Sequence, residues 1–354
     1  MEIYYLIAVS LFGFALTFGF TRGSHRPDRI TAAFVVACVG VIALWRKAGT
    51  DYQIYTTHYE FLAGAGSHLV ESNAGIWEPG FLVLVGLFSG IGLPYDALLL
   101  TSVIVSVAIC CFVAARAIAN VTGFLFALFC LCFLFIPFIR QDLAAALIFL
   151  AFHYLVRDRF RLFALTAALA LSIHLSAVFI VLVMILADLW RRDRLLHRTT
   201  LKAALALPVL AGILGWLLVD PARLAAQATV YVAEGFVQGV VDEQTSAVRN
   251  SLKFVFYILI AGLLRIFYRK EIKAEPPLKL AFAIVVAFSV LSALLVQLTP
   301  VFSRLSIYLF PFVALVYGGM LRRKGHRKVV CICICSALLL LHFLIAFLPL
   351  AKWM

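Results

Sequence analysis

The sequence predicts an all-α protein, a polytopic bundle of about 12 transmembrane helices that forms a single integral membrane domain over residues 1–354. Three observations carry this prediction. Hydrophobic residues make up 64% of the chain and charged residues only 13%. The mean hydropathy is +1.06. Apolar runs of about 15–20 residues, the length a membrane-spanning helix needs, recur to the end of the chain.

The candidate spans follow these apolar runs in order. They are 3–20, 30–45, 96–115, 121–138, 142–156, 161–173, 175–190, 203–219, 252–268, 279–297, 303–320 and 329–350. The first lacks a basic leader and a small-residue cleavage site, so we expect a retained span rather than a signal peptide. Segment 79–93 is short, rich in glycine and followed by Pro94, which favours a re-entrant or broken helix.

The net charge of +13 fits basic loops on the inner side of a membrane protein, and we expect no nucleic-acid partner. All eight cysteines lie within apolar segments, as buried small hydrophobic residues do. None has a histidine or carboxylate at ligand spacing. We therefore expect no metal site, no disulfide framework and no cofactor.

Two topologies compete for the orientation of the spans. The preferred one places 22 of the 30 Lys and Arg residues inside and eight outside, with both termini outside. The rival topology makes 79–93 a true span and 161–190 one long helix. It leaves 19 of the Lys and Arg residues inside and 11 outside. In the preferred topology the long loops 46–78 and 220–251 lie on the outer face. The second begins with Asp220-Pro221 and carries an apolar stripe, which predicts an amphipathic helix on the membrane surface.

Loop 46–78 contains a polar, aromatic-rich stretch. Asp51 stands at its start, and Tyr52, Tyr55 and Tyr59 follow at helical spacing, so they share one face. An aromatic belt with an N-capping aspartate explains the pattern as well as a site with Asp51 as the acid/base group and the tyrosines facing a sugar.

Ionisable residues near or within spans are functional candidates because burying their charge is costly. They are Glu78, Arg140 (followed by Gln141 and Asp142), His174 and Arg304. Each alone has a structural alternative: helix–helix hydrogen bonding for His174, pairing with Asp142 for Arg140, and contact with headgroups for Arg304. In the preferred topology they all reach the outer side with Asp51. The short spans between 142 and 190 then predict a water-filled cavity in the outer leaflet.

Such a site suits an anionic leaving group. Arginine binds phosphate through two hydrogen bonds and keeps its charge, and a histidine or carboxylate accepts a proton from an attacking hydroxyl. A pyrophosphate leaving group needs stabilisation of its charge more than a proton.

The motifs resemble the EpsG family of Wzy-like polysaccharide polymerases. The resemblance rests on four motifs between residues 30 and 320, with the later Arg304 and Tyr308: Gly49-Thr50-Asp51-Tyr52, Glu78-Pro79-Gly80-Phe81, Ile139-Arg140-Gln141 and Ile173-His174-Leu175-Ser176-Ala177. It implies joining of undecaprenyl-pyrophosphate-linked oligosaccharide repeat units at the outer face of a bacterial inner membrane. It also implies a GT-C-like fold and metal-independent, inverting chemistry.

Carried onto this chain, the resemblance implies a role for each residue. Arg140 and Arg304 hold the pyrophosphate, and His174 or Asp51 accepts the proton of the acceptor hydroxyl. The substrate-positioning residues are Glu78, Gln141, Tyr52, Tyr55 and Tyr59. The implied partners are the lipid-linked donor and acceptor and the bilayer, with a chain-length regulator and a flippase as candidate protein partners.

Three alternatives remain open. A flippase or transporter for the same lipid-linked glycan needs the basic cavity but no base, and the sequence shows no inverted halves. A membrane O-acyltransferase needs a His–carboxylate dyad, and no Asp or Glu lies within one helical turn of His174. A non-catalytic secretion partner leaves the buried charges unexplained.

Overall fold

The computed structural model describes residues 50–65, 77–117, 120–131, 139–191, 254, 256–263, 265–298, 300–321 and 331–339. Every regular element in these ranges is a helix. They are α1 (Thr50–Ala65), α2 (Pro79–Gly90), α3 (Tyr95–Arg116), α4 (Val121–Cys130), α5 (Ile139–Val156), α6 (Phe160–Ile173), α7 (Ala177–Arg191), α8 (Arg269–Ala274), α9 (Pro276–Leu298), a 3-10 helix (Pro300–Leu309) and α10 (Phe310–Leu321). Positions 256–263, 265–267 and 331–339 are also helical.

The prediction of an all-α membrane protein is confirmed. Three helices in the described ranges are long and apolar enough to cross a bilayer: α3, α5 and Pro276–Ala293 within α9. The total of about 12 spans stays a prediction, as does the GT-C-like arrangement. The predicted spans 3–20, 30–45 and 203–219 and the loop 220–251 lie outside the described residues.

Segment 79–93 forms a short helix. α2 has 12 residues, or about 18 Å, which falls short of the roughly 30 Å hydrocarbon layer. It ends at Gly90, and Gly92 then adopts a φ of +74° before Pro94. A positive φ suits glycine because it has no Cβ, so the chain turns sharply here. The segment therefore has the broken character predicted from its glycines.

Helix α5 is the most enclosed of the three long helices. Buried residues fill 78% of its apolar window, against 44% for α3, and α3 and α6 pack against it. The predicted span 142–156 begins three residues early, at Ile139. Arg140, Gln141 and Asp142 are therefore buried in the first turn of a helix rather than standing in a preceding loop.

The region 160–191 is divided into two helices, as the spans 161–173 and 175–190 predicted. α6 ends at Ile173, His174 is extended with φ −154° and ψ 113°, and α7 begins at Ala177. The continuous helix over 161–190 that the rival topology requires does not form. The break leaves a histidine and the backbone groups around it outside both helices.

A second, apolar region joins α4 to α10. The amide of Asn120 donates to the carbonyl of Gly318 over 2.9 Å. A Cβ on Gly318 would lie only 2.9 Å from the backbone carbonyl oxygen of Asn120. Phe124 stacks on Phe149 of α5, with ring centroids 5.8 Å apart. Small residues thus allow the helix backbones to approach closely, as is usual in membranes.

Candidate functional site

Glu78 lies at the centre of the polar residues that the structure brings together. It precedes Pro79, the first residue of α2, in an extended conformation (φ −67°, ψ 151°). Its side chain makes no capping hydrogen bond to α2 and reaches across to other helices instead. Its Oε2 accepts from Nη1 of Arg140 over 2.5 Å, and its Oε1 lies 2.9 Å from Nδ1 of His174. One carboxylate thus joins α2, α5 and the break after α6.

The same carboxylate also satisfies the broken backbone. Oε1 of Glu78 accepts from the amide of Leu175 over 3.2 Å. Buried amides need a partner, and Leu175 lies in the break between α6 and α7. Glu78 therefore has a structural task, fixing the break, in addition to any chemical one.

Burial raises the pKa of the Glu78 carboxyl, but the hydrogen bond with His174 and the positive charge of Arg140 outweigh it and lower that pKa to about 2. The carboxylate is therefore ionised at any physiological pH. A carboxylate beside Nδ1 favours the tautomer in which that nitrogen carries the hydrogen, and it stabilises the imidazolium when a proton arrives.

The other ring nitrogen of His174 contacts Gln141. Its Nε2 lies 3.0 Å from Nε2 of the Gln141 amide. With Nδ1–H directed at Glu78, the imidazole Nε2 is the acceptor and the amide NH₂ is the donor. The Gln141 Oε1 is buried and makes no hydrogen bond within the described ranges. Glu78 and Gln141 thus hold the ring of His174 from both sides.

The hydroxyl and the aromatic ring of Tyr55 both contact Arg140, in addition to its ion pair with Glu78. Its Nε donates to the hydroxyl of Tyr55 over 2.9 Å, and its Cζ lies 5.4 Å from the centre of that ring. Tyr55 in turn stacks between Trp77, at 5.7 Å, and Tyr95, at 6.3 Å. The aromatic side chains hold the guanidinium in one orientation while its Nη1 pairs with Glu78. We call Glu78, Arg140, Gln141 and His174 the polar cluster.

A close helix contact lies beside the polar cluster. A Cβ on Gly80 would collide with Oγ of Ser172 and would approach its carbonyl oxygen at 2.8 Å. Gly80 is two residues after Glu78, and Ser172 is two residues before His174. The distance between the carboxylate and the imidazole therefore depends on a glycine at position 80.

The 3-10 helix contacts the break from another side. The hydroxyl of Tyr308 lies 3.0 Å from Oγ of Ser176, two residues after His174. Arg304 lies in this helix, so the structure brings its backbone to the same region. The side chain of Arg304 is outside the described residues, as is that of Asp51 in α1. Their predicted roles stay predictions.

Tyr52 and Tyr59 share the face predicted for them and contact Tyr95 of α3. With Tyr55, both pack around Tyr95, at 5.6 and 5.8 Å. The hydroxyl of Tyr52 donates to Asp96 over 2.5 Å, and that of Tyr59 donates to the Leu93 carbonyl over 2.6 Å. Tyr59 is only 3% exposed. These positions suit packing of α1 on α3 better than contact with a sugar.

Sequence reasoning identified the members of the polar cluster but missed their pairing. A carboxylate for His174 was sought within one helical turn, whereas Glu78 is 96 positions away in the chain. The close approach of Gly80 to Ser172 was also missed, since Gly80 served only as a helix-breaking signal. The Glu-Pro-Gly order gave a usable hint, because proline fixes the start of a helix with Glu78 just outside it.

The polar cluster combines an imidazole and an arginine that share one carboxylate, beside aromatic residues. No curated protein and no solved structure matches the chain, whereas the profile of the EpsG family matches residues 29–353. The chain therefore belongs to the EpsG family.

Proposed function

We propose that this protein is a membrane glycosyltransferase that joins lipid-linked oligosaccharide repeat units into a polysaccharide. The contact between Glu78 and His174 is the observation that carries the proposal, because it supplies an oriented base in a largely apolar protein. Membership of the EpsG family supports a polymerase-like role. The donor and acceptor would be undecaprenyl-pyrophosphate-linked, and the site would face the outside of a bacterial inner membrane. A flippase would supply the substrates, and a chain-length regulator would be a further partner.

In the proposed reaction His174 acts as the general base. The acceptor hydroxyl attacks the anomeric carbon of the donor, and a new C–O bond forms on the face opposite the leaving group. The bond from that carbon to the pyrophosphate oxygen breaks, and the lipid pyrophosphate leaves with the electron pair. Nε2 of His174 takes the hydroxyl proton, and Glu78 stabilises the resulting imidazolium through Nδ1–H.

The arginines would stabilise the negative charge that develops on the pyrophosphate. Arg140 is oriented by Tyr55 and Glu78, so little reorganisation is required when the charge forms. Arg304 is the second candidate, since its helix contacts the break through Tyr308. Asp51 would orient the acceptor sugar. Arg140→Ala and Arg304→Ala are each expected to abolish chain extension while leaving the protein inserted in the membrane.

Gln141 has a specific part in this proposal. In the resting site its amide NH₂ faces the base, so an acceptor hydroxyl must displace it to reach Nε2. Once His174 is protonated, rotation of the amide brings Oε1 to the new Nε2–H. Gln141 would therefore position the base and stabilise its charged form.

The expected consequence is a change in pH dependence. Gln141→Glu places a carboxylate beside His174, with Glu78 and Arg140 unchanged on the other side. The protonated ring is then stabilised, and the acid limb of chain extension moves to higher pH. Gln141→Met lacks both amide groups and should lower the rate about 10-fold without that shift. Identical pH profiles in all three proteins would remove Gln141 from the mechanism.

A membrane sugar O-acyltransferase is the second candidate, because the polar cluster contains the His–carboxylate dyad that such chemistry requires. The same base would then activate a sugar hydroxyl toward an acyl donor. Mass spectrometry of the products separates the two functions. A polymerase adds whole repeat units, whereas an acyltransferase adds one acyl group and leaves the number of sugars unchanged.

The proposal is tested with purified protein and lipid-linked repeat units from its own host. The products are separated on a gel with and without EDTA. We expect a ladder of repeat units that survives EDTA and contains inverted anomeric linkages by NMR. Intact substrate that has crossed a liposome membrane, without a ladder, would mean that the protein is a transporter.

A further inference from the structure

A second charged group lies at the other end of α5 from the polar cluster. α5 has 18 residues and is about 27 Å long, with Arg140 in its first turn and Arg157 just beyond its last. Phe112 of α3 contacts His153 of α5, with ring centroids 5.6 Å apart. Arg116 is four residues after Phe112, and Arg157 is four residues after His153. Both arginines therefore lie at the ends of α3 and α5 that carry the contact between Phe112 and His153.

The turn between α5 and α6 adds further arginines at this end. Arg157, Arg159 and Arg161 are all exposed, and the charges of Arg116, Arg157 and Arg159 all act on the imidazole of His153. We call Arg116, Arg157, Arg159 and Arg161 the arginine cluster. Asp158 is the one carboxylate between 153 and 163. Within the part of the chain that the structure describes, no ion pair joins a carboxylate to any member of the cluster.

The backbone that carries the cluster is fixed. The amides of Arg157 and Arg159 both donate to the carbonyl of Tyr154, over 3.2 and 3.0 Å. Asp158 between them adopts a left-handed conformation with φ 59°. The Cζ of Arg116 lies over the ring of Phe112, 4.4 Å from the ring centre. The backbone at Arg157 and Arg159 and the side chain of Arg116 are thus held in place before any ligand arrives.

Exposed apolar stripes run from the cluster along the same helices. On α3, Phe112 is 41% exposed and Val105 is 40% exposed, four and eleven residues before Arg116. On α6, Leu165 is 66% exposed and Leu169 is 48% exposed, four and eight residues after Arg161. Each stripe is therefore a helix face that ends in an arginine. A ligand that matches both parts has an anionic head and apolar chains.

We propose that the arginine cluster is a binding site for an anionic phospholipid. The phosphate of the headgroup contacts Arg116 and Arg157, and the acyl chains lie along the exposed faces of α3 and α6. Arginine suits this role because its planar guanidinium forms paired hydrogen bonds with phosphate. The site is separate from the polar cluster, so lipid binding does not depend on the proposed transferase activity.

The test uses the full-length protein in nanodiscs of phosphatidylcholine alone or with added phosphatidylglycerol. Arg116→Gln/Arg157→Gln is compared with Arg269→Gln/Lys273→Gln, which removes the same charge from exposed positions of α8. Phosphatidylglycerol should raise the melting temperature of the wild type and of the α8 variant by about 3 °C, and that of the cluster variant by less than about 1 °C. Native mass spectrometry should show about 30-fold weaker retention of phosphatidylglycerol by the cluster variant.

Other outcomes would overturn the proposal. Equal stabilisation of all three proteins would mean that only the overall surface charge matters. The same stabilisation by soluble glycerol phosphate would mean a site for a free phosphate group rather than a lipid. If the first cluster variant does not fold, the single variant Arg157→Gln is measured in its place, and a wild-type response from that variant would also contradict the site.

Discussion

The polar cluster and the contact between α4 and α10 both depend on a glycine at a close helix contact, but the two contacts have different roles. In both, a glycine allows two helices to approach closely: Gly80 against Ser172 in one, and Gly318 against Asn120 in the other. Around Gly318 the approach packs two helix backbones and the ring of Phe124, with a hydrogen bond from the Asn120 amide to the Gly318 carbonyl. Around Gly80 it presses a carboxylate against a histidine at a broken helix. Close packing at Gly318 therefore serves stability, whereas close packing at Gly80 sets the geometry of charged groups. Buried charged groups of this kind indicate a functional site in a mostly apolar protein.

Replacing His174 should show the largest difference in activity between the polar cluster and the apolar parts of the protein. We expect His174→Ala to lower the rate of chain extension about 1,000-fold, since general-base catalysis contributes about 10²–10⁴. The matched control is His153→Phe, which replaces a buried histidine at the far end of α5 among aromatic rings. The control should fold and extend chains normally. The comparison fails if both variants lose activity equally.

Removing the charge of Glu78 should damage both the chemistry and the fold. Glu78→Gln leaves Arg140 with less compensation in a buried setting, so we expect a loss of about 3 kcal/mol in stability and about 100-fold in rate. Glu78→Gln/Arg140→Gln removes both charges and should recover much of the stability but none of the activity. Thermal unfolding in nanodiscs and single-turnover assays measure the two effects. Recovered activity in the double variant would show that the ion pair is only structural.

Substitutions at Gly80 and Gly318 should distinguish a helix contact that sets the geometry of the site from one that only stabilises the fold. Gly80→Ala forces α2 away from Ser172 and should lower activity about 10-fold or more, because small displacements of a catalytic group are costly. Gly318→Ala should cost about 1–3 kcal/mol of stability while the folded fraction keeps its specific activity. Gly90→Ala and Gly262→Ala are the controls, since nothing lies within 4 Å of a Cβ at either position. An active Gly80→Ala protein would exclude a geometric role for that contact.

The smallest effect should appear in the pH dependence of stability. The pKa of Glu78 falls from 4.5 to about 2 on folding, so its ionised form stabilises the folded protein fully above pH 4.5. That contribution disappears as the pH falls from 4.5 towards 2. The difference in melting temperature between the wild type and Glu78→Gln should therefore shrink as the pH falls below about 4.5. A difference that declines already between pH 8 and 6 would point to another titrating group.

The sequence predicted more of the fold than of the site. Apolar length and loop charge indicated an all-helical membrane protein, and the division of 161–190 near His174 followed from the short apolar segments on either side. Long-range contacts leave no such periodic signal. Nothing in the order of residues says that Glu78 meets His174 across 96 positions, or that Gln141 covers the second ring nitrogen. The buried start of α5 was missed because Arg140, Gln141 and Asp142 are typical of a loop when they are not paired.

The tyrosines show the same limit. Their spacing correctly placed Tyr52, Tyr55 and Tyr59 on one helix face. Tyr55 accepts a hydrogen bond from Arg140, whereas the hydroxyls of Tyr52 and Tyr59 bind Asp96 and the Leu93 carbonyl. Periodicity identifies a face, whereas the partners across that face decide which residue joins a site.

In the proposed mechanism His174, oriented by Glu78, accepts the proton of the attacking hydroxyl. Chemical rescue by imidazole tests this role of His174. Chain extension by His174→Gly is measured in liposomes with increasing concentrations of imidazole. The control is Arg140→Ala, which has lost a positive charge but keeps His174. We expect a ladder from His174→Gly that grows with imidazole concentration and none from Arg140→Ala at any concentration. A wild-type ladder from His174→Gly without imidazole would contradict a base role for His174.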